Sequence, residues 1–340
     1  MRTKSFRLHI ENLESRTVPA AVLTGNLLTI EGGVGANTVV VSQSGPNNVL
    51  VTLNGVDSLF PLANVSSVAF KGDIGADTFT YTLDLPVTVN TGDGNNTITV
   101  GGILGGGDAT IVGGMGNDTM TSTVTGRVNI TGGVGNDTIT VGGASQATID
   151  AGTGNDTITS GSTGTAKIKG DLGDDKITVN AASNAVITGD GGDDTIMVSG
   201  VGTVTASGGT GNDSVTTASS GNATINGGDG NDALTGSTPA LLKIDGGSGN
   251  DTIKNDGNGA ATITGGIGND SVIGGFGYNT IDGGAGDDAI TGRGTAGDSL
   301  RGGAGADSIT ATGGASILFV DQLDVFFTTR VIDTINFATI

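Results

Sequence analysis

One motif, Gly-x-Gly-Asn-Asp-Thr-Ile with variations, returns along this chain at a fixed spacing. Its closing acidic position falls at Asp118, Asp137, Asp156, Asp175, Asp194, Asp213, Asp232, Asp251 and Asp270, every step being 19 residues. Asp77 and Asn96 precede this series in the same register, with steps of 19 and 22 residues, and Asp288 and Asp307 follow at 18 and 19. Self-similarity on this scale marks a stack of one supersecondary unit rather than a compact globule, because a single unit cannot bury its apolar face without a neighbour. The repeat covers roughly residues 72–315.

Each unit reads as two strands and two turns. In Gly133 to Ala151, Gly133-Val134-Gly135-Asn136-Asp137 is a tight turn and Thr138-Ile139-Thr140-Val141 alternates as a strand does. A second turn follows at Gly142-Gly143-Ala144-Ser145, then a second strand at Ala147-Thr148-Ile149-Asp150. Period-two alternation sends every other side chain inward. Two places after the motif acid stand Met120, Ile139, Ile158, Ile177, Ile196, Val215, Leu234, Ile253, Val272, Ile290 and Ile309. Twelve places after it stand Ile130, Ile149, Ile168, Ile187, Ala206, Ile225, Ile244 and Ile263, and ten places after it the smaller Val128, Ala147, Ala166, Ala185, Val204, Ala223, Leu242 and Ala261. The fold class expected is all-β: a right-handed parallel β-roll or β-solenoid of about a dozen 19-residue coils, with an N-terminal hairpin cap and a C-terminal cap. Strand pairing sets a rise of about 4.8 Å per coil.

Composition agrees with a thin, layered interior. There are 65 glycines in 340 residues, only 3% aromatics and no tryptophan. The formal charge of −20 argues against nucleic-acid binding, which needs clustered Lys and Arg. Only Glu11, Glu14 and Glu31 among the 34 acidic residues are glutamate. A merely solvated acidic face would use both acids, whereas aspartate alone points to tight turns or metal ligation. No cysteine is present to staple the fold, and no apolar run is long enough to cross a membrane.

The turns point to calcium. Glycine permits positive φ and close backbone packing, which aims carbonyls into the gap between coils. The pairs Gly114/Gly116, Gly133/Gly135, Gly152/Gly154, Gly209/Gly211, Gly228/Gly230, Gly247/Gly249 and Gly266/Gly268 are candidates to shape carbonyl ligands. Asp77, Asn96, Asp118, Asp137, Asp156, Asp175, Asp194, Asp213, Asp232, Asp251, Asp270, Asp288 and Asp307 are candidates to supply side-chain oxygen. Calcium takes six to eight oxygens and tolerates irregular geometry, so two successive turns can share one ion. Stacked carboxylates about 5 Å apart repel by about 1 kcal/mol per pair in bulk water and about 3 kcal/mol at an effective dielectric of 20. A file of about ten calcium ions along one edge removes that cost.

The stretches Gly132-Gly133-Val134-Gly135-Asn136-Asp137-Thr138-Ile139-Thr140 and Gly284-Ala285-Gly286-Asp287-Asp288-Ala289-Ile290 resemble the RTX (hemolysin-type) nonapeptide, which implies calcium in a parallel β-roll. RTX arrays repeat every nine residues with calcium on both edges. Here the second turn is degraded (Ser122 to Gly126, Ser160 to Gly164, Ser219 to Asn222) and revives only near Gly275–Asn279 and Gly294–Asp298. A second-edge ion is expected to be absent or weak. The 19-residue spacing also resembles the calcium-dependent antifreeze region of bacterial ice-binding adhesins. In that family a threonine between the turn glycines and an asparagine beside the aspartate face ice. The asparagine matches at Asn117, Asn136, Asn155, Asn212, Asn231, Asn250 and Asn269, but the threonine only at Thr153 and Thr210.

Residues 1–24 read as a leader or targeting segment without stable structure, basic but lacking the apolar run of a secretory signal. Leu13 to Ala20 resembles a short N-terminal motif of planctomycete surface proteins. Residues 25–71 read as the hairpin cap, with the turn Ser44-Gly45-Pro46-Asn47-Asn48 and with Asp57 outside any metal site. Residues 72–315 form the solenoid, and residues 316–340, with Phe319, Phe326, Phe327 and Phe337, the C-terminal cap. Val331 to Phe337 is similar to a segment that often follows RTX arrays. Catalysis has little support, since His9 is the only histidine and lies in the leader. A calcium-folded structural or adhesive protein, extracellular or on the cell surface with cell-surface or matrix partners, is the first reading. An ice- or crystal-binding module using the Thr97/Thr99, Thr119/Thr121, Thr138/Thr140 and Thr157/Thr159 ladder is the second. A β-helical polysaccharide enzyme is the third.

Overall fold

The computed structural model describes residues 20–102, 107–180, 183–200, 202–320, 325–328 and 334–337. The leader before residue 20, with His9 and Leu13 to Pro19, lies outside the described residues.

Two strand families wind up the chain alternately. β1 (Ala20–Thr24) and β2 (Leu27–Glu31) form a hairpin, and β3 (Thr38–Ser44), β4 (Asn48–Leu53) and β5 (Val56–Pro61) form an antiparallel meander. β2 and β3 are also the first rungs of two parallel ladders: β2 pairs with β6 (Ser67–Lys71), and β3 with β7 (Thr78–Tyr81). β6 continues to β8 (Val87–Asn90), and β7 to β9 (Thr97–Val100). From there each coil adds one strand to each ladder, until each sheet holds seventeen strands among the described residues. The result is an all-β solenoid of about 13 turns.

The repeat of the sequence is the register of the sheets. Val128 pairs with Ala147, Ala147 with Ala166, and Ile139 with Ile158. The irregular steps leave the stack intact because they fall on the turn opposite the acidic one. Ala109 still pairs with Val87 across the 22-residue coil, and Ala261 with Asn279 across the 18-residue coil. Loop length is a cheap variable on a surface turn, whereas a slipped register would turn every apolar residue outward.

All three apolar columns are interior, none of their members more than 4% exposed. A fourth inward column, four places after the motif acid, is mixed: Ser122, Val141, Ser160, Val179, Val198, Thr217, Gly236 and Asn255. Its polar members hid it from a search for apolar periodicity. The core near the N-terminus is different in kind, with Phe70 stacked on Phe79 (5.1 Å between centroids) and Phe79 on Tyr81 (6.4 Å).

Both ends depart from expectation. Ala20–Thr24, assigned to the leader from sequence, is a strand, because Val22 and Leu23 can pair across a two-residue turn with Thr29 and Leu28. At the other end Ile317–Val320, Val325–Thr328 and Thr334–Phe337 do not cross the stack as a separate cap. They prolong the parallel ladders, Leu300 pairing with Leu318 and Leu318 with Ile335. The side chains of Phe326, Phe327 and Phe337 lie outside the described residues.

Candidate metal centre

The acidic edge is built from two side-chain ladders running in opposite directions. The inner one is the aspartate column. The Asp118 N–H donates to Asp137 Oδ1 (2.8 Å), the Asp137 N–H to Asp156 Oδ1 (2.6 Å), and so on to the Asp288 N–H and Asp307 Oδ1 (2.9 Å). The outer one uses the preceding residue: the Asn136 N–H donates to Asn117 Oδ1 (2.8 Å) and the Asn155 N–H to Asn136 Oδ1 (2.9 Å). The Asn-Asp pair is therefore a two-way stitch holding each turn to both neighbours. Those asparagine carbonyls already accept backbone N–H groups, which explains their presence without any external surface.

The second oxygen of each aspartate is the unusual one. The column is sealed, its aspartates 1–2% exposed. Oδ2 of Asp77, Asp118, Asp137, Asp156, Asp175, Asp194, Asp213, Asp232, Asp251, Asp270 and Asp288 is buried with no hydrogen-bond partner. An unpaired buried carboxylate oxygen costs several kcal/mol, so a row of them needs an answer. Desolvation pushes Asp118, Asp175, Asp213 and Asp288 up to about 6, and Asp156, Asp194 and Asp251 up to about 7, against an ordinary value of 3.8. The backbone N–H on Oδ1 opposes that rise without cancelling it.

A backbone carbonyl of the following coil lies near the orphan oxygen. A methyl group added to Gly113 would meet both Asp118 Oδ2 and the Gly132 carbonyl of the next coil. The same cradle recurs at Gly132, Gly170, Gly189, Gly227, Gly246, Gly265 and Gly283, each beside its own aspartate Oδ2 and a carbonyl of the following coil. These first-position glycines were absent from the sequence-based site. The signal for them was the doubled glycine of Gly132-Gly133, which turn conformation alone does not require. The second and fourth positions behave as expected: Gly114, Gly116, Gly133, Gly135, Gly152, Gly154, Gly209, Gly211, Gly228, Gly230, Gly247, Gly249, Gly266 and Gly268 all have φ between 106° and 133°. Asp171 and Asp190 take the second position at φ 74° and 78°, and Lys169 Nζ reaches both carboxylates (2.7 and 3.5 Å). A short polar side chain tolerates the left-handed region where a branched one would not.

Each turn thus offers one carboxylate among carbonyls, and among the described residues no three His, Cys, Asp or Glu side chains gather at one point. A donor set of hard oxygens, drawn from two chain segments and poor in charge per site, suits calcium and suits no thiolate- or imidazole-seeking metal. A family model described as the RTX calcium-binding nonapeptide repeat (4 copies) matches residues 103–122, 125–145, 141–163, 217–238, 243–254, 264–296 and 293–319. The chain carries RTX calcium-binding repeats. RTX repeats bind Ca2+, and the orphan Oδ2 atoms and glycine cradles are what such an ion would fit here. No curated protein matches the chain.

Not every turn fits the RTX pattern. Ala151 replaces the first glycine in the Asp156 turn, and its buried methyl lies where the neighbouring turns keep a cradle. Thr91 and Asn96 replace glycine and aspartate one turn before Asp118. On the opposite edge Asp298 is buried, but both its oxygens are satisfied: Oδ1 accepts the Asn279 N–H (2.9 Å) and amide (2.8 Å), and Oδ2 the Gly294 N–H (2.8 Å).

Proposed function

We propose that the protein is a secreted or cell-surface β-solenoid whose folding is driven by calcium, and that it serves as a stiff structural or adhesive element rather than as an enzyme. The observation that carries this reading is the column of sealed aspartate oxygens with no hydrogen-bond donor, repeated coil after coil on one edge. Calcium supplies a divalent charge that neutralises each carboxylate and gathers the carbonyls around it. The chain does the rest. Oδ1 is held by the N–H of the coil before, which leaves Oδ2 beside the first-position glycine and a carbonyl of the following coil, and the positive-φ glycines let the successive turns pack closely.

Binding is inseparable from folding, because the cradle is shared by successive coils and does not exist in the unfolded chain. A chain that stays open where calcium is scarce and closes where it is plentiful can be exported unfolded. Extracellular calcium modules work at about 10⁻⁴–10⁻³ M, which sets the expected range. About ten ions are expected, one for each orphan carboxylate, fewer where the cradle is filled. A stack of parallel coils presents extended, repeating strand faces, which suits structural or adhesive work.

The test is circular dichroism of the purified chain during a calcium titration, followed by excess EGTA. Sheet signal that rises cooperatively at near-millimolar calcium and collapses on chelation supports the reading. A chain equally folded in EGTA, with no calcium bound at equilibrium dialysis, ends it.

A further inference from the structure

The turn from Thr91 to Asn96 follows the backbone course of its neighbours with different chemistry. Asn96 Oδ1 accepts the Asp77 N–H (2.8 Å), the role played by every aspartate Oδ1 in the column. That bond settles which amide atom is which, so Nδ2 stands where the next turns have the orphan Oδ2. From there it donates to the carbonyls of Gly92 (3.2 Å) and Gly94 (2.9 Å). Thr91 holds the position of Gly113 and Gly132. It is fully buried, and its hydroxyl donates to the Gly113 carbonyl (2.9 Å). The carbonyls that correspond, one turn later, to Gly114, Gly116 and Gly132 are thus all supplied with hydrogens by the chain itself.

The same device recurs in the first turn, where Asn37 Nδ2 donates to Gly33 O (3.1 Å) and Gly35 O (2.6 Å). It recurs on the opposite edge, where Asn279 Nδ2 donates to Gly275 O (2.9 Å) and Gly277 O (3.0 Å). Beside it the guanidinium of Arg293, over the Phe276 ring, donates to Gly274 O (2.7 Å) and Asn255 O (2.8 Å). In each case an N–H group stands where a cation would otherwise be needed. An amide is nearly isosteric with a carboxylate but carries donors and no charge, so the turn closes without a metal.

We propose that residues 20–102 are a calcium-independent seed. In this segment Asn37 and Asn96 close their turns with amide donors, so Asp77 Oδ2, beside the Gly72 cradle, is its single orphan column oxygen and lies between two turns that need no ion. The segment also holds the aromatic stack and the antiparallel meander, which give it a local core that the thin later coils lack. The seed presents β8 and β9 as a ready template, and each calcium-bound coil from Asp118 onward adds to it in order. Folding then runs from one end rather than nucleating anywhere along the repeat. The assignment rests on the calcium reading of the aspartate turns.

The test is hydrogen exchange followed by mass spectrometry on the full-length chain at pH 7.5, with calcium and with EGTA. Exchange over residues 109–311 is expected to quicken by about 100-fold or more in EGTA, while residues 38–100 change by less than about threefold. The double variant Thr91→Gly, Asn96→Asp is expected to bind one more calcium ion by native mass spectrometry and to lose the protection of residues 78–100 in EGTA. Opening of residues 38–100 together with the rest in EGTA overturns the seed and leaves the calcium reading standing. Full protection of residues 109–311 in EGTA overturns the calcium reading itself. Calcium seated beside Asn96 in crystals of the native chain overturns the role given to the amide, whether or not the variant folds.

Discussion

The substitution Asp118→Asn should extend the calcium-independent part of the solenoid by one coil. Asp118 is 1% exposed, and desolvation pushes its carboxyl from 3.8 up to about 6, with the Asp137 charge adding to the rise and the Asn96 N–H opposing it. At pH 7.5 the group is ionised both folded and unfolded, so the metal-free fold carries the whole shift of about two units as a penalty, about 3 kcal/mol. The replacement amide would carry no charge. Its Oδ1 would keep the Asn96 N–H, and its Nδ2 would face the Gly114 and Gly116 carbonyls as Asn96 Nδ2 faces Gly92 and Gly94. In EGTA, amide exchange in the strands Ala109–Met115 and Thr119–Ser122 should therefore slow by about 100-fold relative to the native chain. In calcium the sign reverses: the variant binds one ion fewer and the same strands exchange faster. Unchanged or faster exchange in EGTA, with the calcium count unaltered, would refute the claim that the orphan oxygen awaits a cation.

Further outcomes follow from the same structure. Burial raises the carboxyls of Asp118, Asp156, Asp194 and Asp251 to about 6 to 7 from 3.8, so the stability they contribute without metal is fully present below about pH 4 and is lost as the pH rises through 6 to 7. In EGTA the sheet signal should be stronger at pH 4 than at pH 8, whereas in calcium the order should invert, because ion and proton compete for Oδ2. Gly246→Ala should cost one calcium ion, since the new methyl would meet Asp251 Oδ2 and the Gly265 carbonyl, and Ala151→Gly should tighten the Asp156 turn; isothermal titration reads both. Gly211→Ala should destabilise its coil with or without calcium, by about 1–2 kcal/mol for the positive φ alone, because φ is 123° and the Cβ would also strike the Gly192 carbonyl. Ile196→Ala should cost about 2–5 kcal/mol in urea unfolding with calcium present, since the side chain is fully buried in the column.

The sequence and the structure part company at particular residues. Strict alternation around Ile139 and Ile149 was enough to place the apolar columns, because a stacked strand has only two faces. Ser122 and Thr217 share the interior with them but carry hydroxyls, so no hydropathy pattern could announce them. Asn96 is the sharpest case. By spacing it belongs with the aspartates as a metal ligand, and the one-atom change from Oδ2 to Nδ2 reverses its electrostatic role toward the same carbonyls. That reversal is visible only once the neighbours of each amide atom are known. Asp298 likewise matches a ligand by motif, yet the Gly294 N–H occupies the oxygen that its counterparts on the other edge leave open.

A period of 19 residues, with glycine, aspartate and isoleucine at constant offsets, dictated a solenoid, its inward faces and its acidic edge. Those features depend on which residues recur and how far apart, and a linear chain records both. Which turns leave a buried carboxylate oxygen without a donor and which supply their own hydrogens depends on atoms of adjacent coils meeting across the stack. Hydrogen-bond direction depends on the orientation of individual groups in three dimensions, and residue order does not encode it until the coils are in contact.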